Sequence, residues 1–324
     1  MILLFSLLVS TLLGILLTGA VTRYLRQRAI LDHPNERSSH AVPPPRGGGW
    51  GILLVLVPAW AECGVTPWVL LGVASLAAVS WLDDRHNLAP GPRLLVHGAA
   101  VVVGLVALGD EARVFQGWLP GWLDHLITGL CWLWFINLFN FMDGIDGLAG
   151  SEAVSVAGGL ALVAGVGGVA GGIVEPAVML VGAALGFLVW NWSPAKVFMG
   201  DVGSIPLGFA LGWLLFSAAA AGLWPAALLL PLYFVTDASV TLLRRLFAGK
   251  PVFQAHREHF YQRAIQAGRG HAAVVRLVIA ANAALIALAL AVPALGWPAA
   301  VAGGGLVVLA LILKLRSAVS TPSS

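Results

Sequence analysis

Eleven apolar stretches alternate with polar ones along the chain, at about 1–21, 48–62, 66–82, 93–109, 122–139, 152–173, 176–192, 203–221, 223–243, 272–293 and 296–315. A helix that crosses a bilayer needs roughly 20 predominantly apolar residues. These stretches come close to that length, the second being short. The pattern predicts an all-α polytopic membrane protein of about eleven transmembrane helices, folded as one domain over residues 1–324.

Charge tests that count, because Lys and Arg concentrate in cytoplasmic connections. With the N-terminus outside and the C-terminus cytoplasmic, only Arg113 of the 18 Lys and Arg residues falls outside. A wrong number of spans would scramble this partition. The first stretch, MILLFSLLVSTLLGILLTGA, has no positive residues before it and RYLRQR after it. It reads as a retained span with a cytoplasmic flank rather than a signal peptide.

Composition agrees. The chain is 59% hydrophobic and 10% charged, against about 25% charged in soluble proteins, which excludes a soluble globular class. Cys63 and Cys131 stand apart from each other and from other ligand types, so neither a disulfide nor a zinc site is implied. Nothing in the chain calls for a nucleic-acid partner.

Function is expected on the cytoplasmic face, where the connections 22–47, 83–92, 140–151, 193–202 and 244–271 hold the polar residues. Asp83 and Asp84, in WLDDRHNL, are adjacent carboxylates that repel one another unless a cation sits near them. They suit a divalent metal or an acceptor phosphate, against the plainer reading of a solvated loop start. In NFMDGIDG, Asn140, Asp143 and Asp146 recur every three residues, which at helical pitch gives them one face. Three oxygen-bearing side chains there suit Mg²⁺ and sugar hydroxyls better than they suit helix caps. Gly144 and Gly147 leave room for a turn or a ligand.

Asp201, in VFMGDVGS, either complements the dipole of the eighth helix or, between Gly200 and Gly203, meets a metal–phosphate. Phe198 suits either a nucleobase or interfacial packing. In HREHFYQR, His256 and His259 would share a face if helical, with Arg257 and Arg263 nearby. Phosphate binding or acid–base work is the sharper reading, and a basic helix on anionic lipid the plainer one. The loop DHPNERSSHAVPPPRGGG cannot be helical, and its Ser38, Ser39, His40 and Arg46 either offer donors to a diphosphate or belong to a plain structural loop. Asp237, inside the ninth stretch, is either a buried capping acid or a neighbour of the site.

DDR at 83–85, NLFNFMDGIDGLAG at 137–150, NWSPAKVFMGDVGS at 191–204, HREHFYQR at 256–263 and RSSHAVPPPRGGG at 37–49 follow one another as in a single family. Over nearly its whole length the chain resembles the polyprenyl-phosphate N-acetylhexosamine-1-phosphate transferases of glycosyltransferase family 4. The resemblance implies transfer of a sugar-1-phosphate from a UDP-N-acetylhexosamine to undecaprenyl phosphate, with release of UMP. It implies Mg²⁺, with Mn²⁺ able to stand in, and an enzyme of the bacterial inner membrane, surrounded by membrane lipids and able to form a homodimer. Carried over, Asp201 is the metal ligand, and Asp83 and Asp84 lie by the metal or the acceptor phosphate. Asn140 and Asp143 lie by the diphosphate and sugar, while Asp146, Asn191 and Phe198 match uridine-binding positions. His256 and His259, with Arg257 between them, lie near the phosphates.

The chain departs from the peptidoglycan branch in two places. Glu258 stands where close relatives often carry a further histidine, and Asn87 where some carry a lysine. Both weigh against a lipid I synthase, and the short tail and the HREH sequence look more like the O-antigen or exopolysaccharide-initiating branch. The rival class is an ion-coupled transporter, whose binding residues usually sit at mid-membrane in two related halves. Here the acids gather on one face and no half-repeat is visible.

Overall fold

The computed structural model describes residues 1–30, 44–86, 88–169, 172–251 and 256–317. Ser38, Ser39, His40 and Asn87 therefore lie outside the described residues. Within them the fold is all helix, apart from one isolated parallel bridge between Arg46 and Phe198.

The helices are α1 (Ile2–Gln27), α2 (Gly49–Glu62), α3 (Pro67–His86), α4 (Pro90–Leu108), α5 (Gly121–Phe141), α6 (Leu148–Val166) and α7 (Val174–Asn191). There follow α8 (Asp201–Ala218), α9 (Trp224–Leu229), α10 (Leu232–Phe247), α11 (Phe260–Gln266), α12 (His271–Leu295) and α13 (Trp297–Arg316). Among the described residues eight helical stretches are long and apolar enough to cross a membrane, so this is a multi-pass membrane protein. Of the other expected spans, α2 has 14 residues, and the last turn of α3 is Asp83, Asp84, Arg85 and His86. The ninth is interrupted. Gly222, at φ 91°, leaves the helical region just before this stretch, between the eighth and ninth spans. Pro231, which has no N–H to continue the helix, then separates α9 from α10.

At the centre stands α8, buried along almost its whole length between α3, α5, α2 and α6. A helix that is apolar all round belongs in such a place. Trp132 of α5 stacks on Phe209 of α8 (centroids 4.9 Å apart) and donates its indole N–H to the Phe209 carbonyl at 3.1 Å. The contact thus buries a large ring without stranding its polar atom. Farther out, Asn282 of α12 donates to Glu152 of α6 at 2.7 Å, a polar tie inside the bundle.

The chain shuttles between two ends. At one, Trp118 meets Trp224 and Trp224 meets Trp297, an aromatic chain of the kind found at membrane interfaces. At the other, Arg26 donates to the Lys196 carbonyl, Arg269 to the Lys314 carbonyl and Tyr261 to the Phe141 carbonyl. This second end is where the polar residues of α3, α4, α5, α8 and α10 collect.

Candidate active site

The first piece is the meeting of α3 with α8. Asp84, in the last turn of α3, accepts from the backbone N–H groups of Val202 (3.1 Å) and Asp201 (3.4 Å) in the first turn of α8. A carboxylate there satisfies N–H groups that the helix itself cannot, and it faces the positive end of the dipole. Gly200, at φ 74°, provides the backbone turn that aims these N–H groups. Gly203 serves a different purpose from the open ligand site expected of it. A Cβ there would lie 2.6 Å from the Gly49 Cα, so it is the contact point between α2 and α8.

Arg46 closes this unit from the other side. Its Nε lies 3.0 Å from Asp84 Oδ1 and its NH2 2.8 Å from Asp201 Oδ1, so one guanidinium bridges two helices. The strand-like pairing of Arg46 with Phe198 holds it there, with Phe198 N–H donating to Pro45 O and Gly48 N–H to Phe198 O. Arg93, in the first turn of α4, does the same for the other acid. Its NH1 stands 2.6 Å from Asp83 Oδ2 and its NH2 3.7 Å from Asp201 Oδ2. Asp83 also accepts from Leu88 N–H at 2.7 Å. Arg93 was not singled out in the sequence, where it reads as one cation at the head of an apolar stretch.

Asn140, Asp143 and Asp146 do not share a helical face. The helix α5 ends at Phe141, and Gly147, at φ 77°, starts α6 from a left-handed turn. The three side chains therefore part company. Asn140 donates to Ser204 Oγ at 2.9 Å, one turn along α8 from Asp201. Asp143 lies within the field of Asp201, Asp84 and Arg46. Asp146 turns to a different cluster, accepting from Ala195 N–H at 3.1 Å and standing 3.3 Å from His271 Nδ1. Asn191 belongs to that second cluster, accepting from Gly147 N–H and donating to the Val197 carbonyl. His271, at the start of α12, had no sequence signal beyond being a lone histidine. Gly144 leaves room for protein rather than ligand, since a Cβ there would lie 2.1 Å from the Tyr261 hydroxyl oxygen.

The HREH segment is a loop and not a helix, yet the rings of His256 and His259 lie 4.9 Å apart. Its anchor is Asp237 of α10, which is fully buried. Asp237 accepts from Phe260 N–H (3.0 Å), Tyr261 N–H (3.4 Å), Tyr233 Oη (3.0 Å) and Thr241 Oγ1 (3.3 Å), and it lies 3.2 Å from His259 Nδ1. Asp237 is thus the residue that shapes the loop. Glu258 gathers cations: it pairs with Arg245, lies 3.1 Å from Lys250 Nζ, and has Arg244 and Arg263 within 4 Å. Although burial opposes it, the Lys250 hydrogen bond and the Arg245 charge hold its carboxyl below the usual glutamate range. Arg257 is partly buried, and its carbonyl accepts from Gln266 at 2.9 Å.

Asp83, Asp84, Asp143 and Asp201 thus gather around two arginines at one end of the bundle. Burial pushes Asp84 up to about 6 and Asp143 up to about 7; Arg46 opposes both shifts, and the Asp201 charge adds to both. Burial likewise raises Asp83, against the pull of Arg93. Among the described residues no three His, Cys, Asp or Glu side chains converge closely enough to hold an ion, because guanidinium groups stand between the carboxylates. The donor chemistry nevertheless fits a hard divalent cation: all four groups are carboxylates, and they repel one another.

Beside this cluster opens a cavity of about 680 Å³ between α4, α5 and α10. Leucines and aromatics such as Leu133, Trp134 and Leu243 make up most of its wall, and Arg93, His97, Asn137 and Ser239 are its polar members. Leu130, Leu243 and Leu246 line it and are also exposed on the outer surface, so it opens sideways from the bundle. Arg93 connects the two spaces, reaching Asp83 and Asp201 from the cavity wall.

Residues 66–219 match the family model for glycosyl transferase family 4. The chain is 25% identical to a probable undecaprenyl-phosphate N-acetylglucosaminyl 1-phosphate transferase of Bacillus subtilis, across 81% of this chain and 77% of the relative. It is 29% identical to the decaprenyl-phosphate N-acetylglucosaminephosphotransferase of Mycobacterium tuberculosis, across 81% and 75%. With the phospho-N-acetylmuramoyl-pentapeptide-transferase of Shouchella clausii it shares 31% identity across 64% of this chain and 73% of the relative. The chain belongs to glycosyl transferase family 4. In this family 4 member, the stretch matched by the family model holds Asp83, Asp84, Asp143, Asp146, Asn191, Phe198 and Asp201. Arg46 and the HREH loop lie outside that stretch, and Arg46 joins the site through the structure.

Proposed function

We propose that this protein transfers an N-acetylhexosamine-1-phosphate from a UDP-N-acetylhexosamine to undecaprenyl phosphate. An oxygen of the lipid phosphate attacks the β-phosphorus of the nucleotide sugar, and the bond to the α-phosphate breaks. The products are undecaprenyl-diphospho-sugar and UMP. The observation that carries this reading is the junction at Arg93, where an apolar, sideways-opening cavity meets a cluster of acids and arginines. A long-chain lipid phosphate needs both surroundings at once.

In this reading Arg93 receives the acceptor phosphate, and Arg46 faces the donor diphosphate. Each guanidinium reduces the repulsion between an anionic nucleophile and an anionic electrophile. A phosphoryl transfer asks for alignment and charge neutralisation more than covalent help. Mg²⁺ would be held by Asp201, Asp83 and Asp84, and when bound it supplies positive charge to the phosphate oxygens. Asn140 and Asp143 would meet the diphosphate and sugar, and Asp146, Asn191 and Phe198 the uridine side. His256 and Arg257 are placed by a loop that Asp237 and His259 fix. The lipid phosphate is ionised near neutral pH, so no residue has to remove its proton before attack.

The relatives that act on undecaprenyl or decaprenyl phosphate with an N-acetylglucosaminyl group support an N-acetylhexosamine donor. The O-antigen or exopolysaccharide-initiating role rests on the HREH sequence and on the departures from the peptidoglycan branch at Glu258 and Asn87. In this reading the site faces the cytoplasm of the bacterial inner membrane. A second donor, the pentapeptide-bearing nucleotide, is favoured by the phospho-N-acetylmuramoyl-pentapeptide-transferases among the relatives.

Release of UMP from detergent-purified protein, with undecaprenyl phosphate and Mg²⁺ across a panel of UDP-N-acetylhexosamines, tests the proposal. Lipid-dependent release with one of them is expected. Release only with UDP-N-acetylmuramoyl-pentapeptide would replace the donor assignment. Folded protein that releases no UMP but moves ions across a vesicle membrane would overturn the reaction.

A further inference from the structure

We infer that His97 is a binding residue for the phosphate of the lipid acceptor, distinguishing a lipid phosphate from the corresponding lipid alcohol. The inference rests on the proposed acceptor, and adds a residue that neither the motifs nor the acid cluster contains.

His97 lies on α4, four residues after Arg93, and both side chains line the same cavity. Residues four apart share a helix face, so the two cationic or donor groups stand one above the other on one wall. Four residues of helix rise about 6 Å. That is close to the gap a single phosphate spans when it accepts one hydrogen bond at each end. The wall around them is otherwise leucine and aromatic, with Asn137 the polar neighbour of His97.

The imidazole is 2% exposed, yet neither of its nitrogens makes a well-formed hydrogen bond. The Asn137 amide nitrogen donates to the Leu133 carbonyl at 2.7 Å, which leaves the Asn137 oxygen as the one polar group facing the ring, short of a well-formed hydrogen bond. Buried polar atoms are nearly always paired, so an imidazole left without a good partner inside an apolar wall needs an explanation. Both nitrogens are covered, so a ligand group that accepts the N–H meets the ring as it turns into the cavity, and supplies one. The entering group has to be anionic to meet Arg93 and narrow enough to pass among leucines, which is what the head of a polyprenyl phosphate offers. An alcohol at the same place would lack the oxygens to reach both residues.

The experiment compares binding of undecaprenyl phosphate and undecaprenol to the full-length protein in detergent, for the wild type, His97→Leu and His97→Gln. Wild-type protein is expected to prefer the phosphate. His97→Leu should lose about tenfold or more of that preference, the scale for one hydrogen bond to a charged group, with undecaprenol binding unchanged. His97→Gln, which keeps an N–H donor, should stay within about threefold of the wild type. In turnover, KM for the lipid rises in His97→Leu while KM for the nucleotide sugar does not, a split that general loosening of the fold would not produce. If His97→Leu does not fold, His97→Phe fills the ring's volume and takes its place. A His97→Leu or His97→Phe protein with undiminished preference for the phosphate overturns this inference alone. Wild-type protein that binds neither lipid overturns the acceptor reading, and this inference with it.

Discussion

The carboxylate of Asp237 lies 3.2 Å from Nδ1 of His259, with both side chains buried, and the same carboxylate accepts the backbone N–H groups of Phe260 and Tyr261. One acid from α10 therefore sets both the path of the HREH loop and the orientation of its second histidine. A carboxylate opposite Nδ1 takes a proton on that nitrogen as its partner and so fixes the ring's orientation. Asp237→Asn retains the shape but not the charge, and should cut turnover about 10- to 100-fold, as removal of an orienting partner does elsewhere. Asp237→Ala should also lower the unfolding midpoint, because five donors lose their acceptor. Turnover together with thermal unfolding in detergent checks both. Wild-type turnover in Asp237→Asn would remove the loop from the mechanism.

Asp201 touches both arginines, through Arg46 at 2.8 Å and Arg93 at 3.7 Å. Asp201→Asn is nearly isosteric, so the protein should insert and unfold as the wild type does. Turnover should nevertheless fall by at least about 10²-fold, the scale for one preorganised electrostatic group. A correctly inserted Asp201→Asn protein with near-normal UMP release would contradict its assignment as a metal ligand.

The all-helical, membrane-spanning character was legible in the sequence because length and apolarity decide it, and the acids that gather at one end of the bundle stood out because they interrupt apolar stretches. What escaped depends on which chain segments meet. Asn140, Asp143 and Asp146 looked like one face, but periodicity carries no information once a left-handed glycine has ended the helix. Arg93 resembled an interfacial cation and becomes a site residue only because α3 and α8 bring Asp83 and Asp201 to it. Asp237 could not be assigned until the HREH loop was seen to fold over it. His97 gave no signal at all, since burial without a good partner is a property of packing.

Gly144 and Tyr261 bring the aspartate loop and the histidine loop together. The Tyr261 hydroxyl donates to the Phe141 carbonyl at 3.1 Å, and it occupies the space a Cβ on Gly144 would need. Gly144→Ala should therefore push the two loops apart and cost about 1–3 kcal/mol, the usual scale of an overpacked contact. Activity should fall with it. Gly144→Ala combined with Tyr261→Phe should recover part of the stability, because the clash is with the hydroxyl oxygen. Thermal unfolding of the two variants measures this, and identical midpoints would show that the contact is soft.

The acids of the site should make both stability and the metal requirement depend on pH. Burial raises Asp84 to about 6 and Asp143 to about 7, from an ordinary value near 3.8. A carboxyl raised in the folded state favours folding while it is protonated and loses that advantage as pH rises through its folded value. Ion-free protein should therefore become less stable between about pH 4 and pH 7. A divalent cation binds the ionised forms and competes with these protons. Added Mg²⁺ should accordingly raise the unfolding midpoint at pH 7.5 and do little at pH 5, and the Mg²⁺ concentration for half-maximal turnover should fall over the same range. Asp143→Asn should shift this dependence towards the lower, Asp84-governed window. A Mg²⁺ effect that is flat from pH 5 to pH 7.5 would separate the raised carboxyls from the metal site.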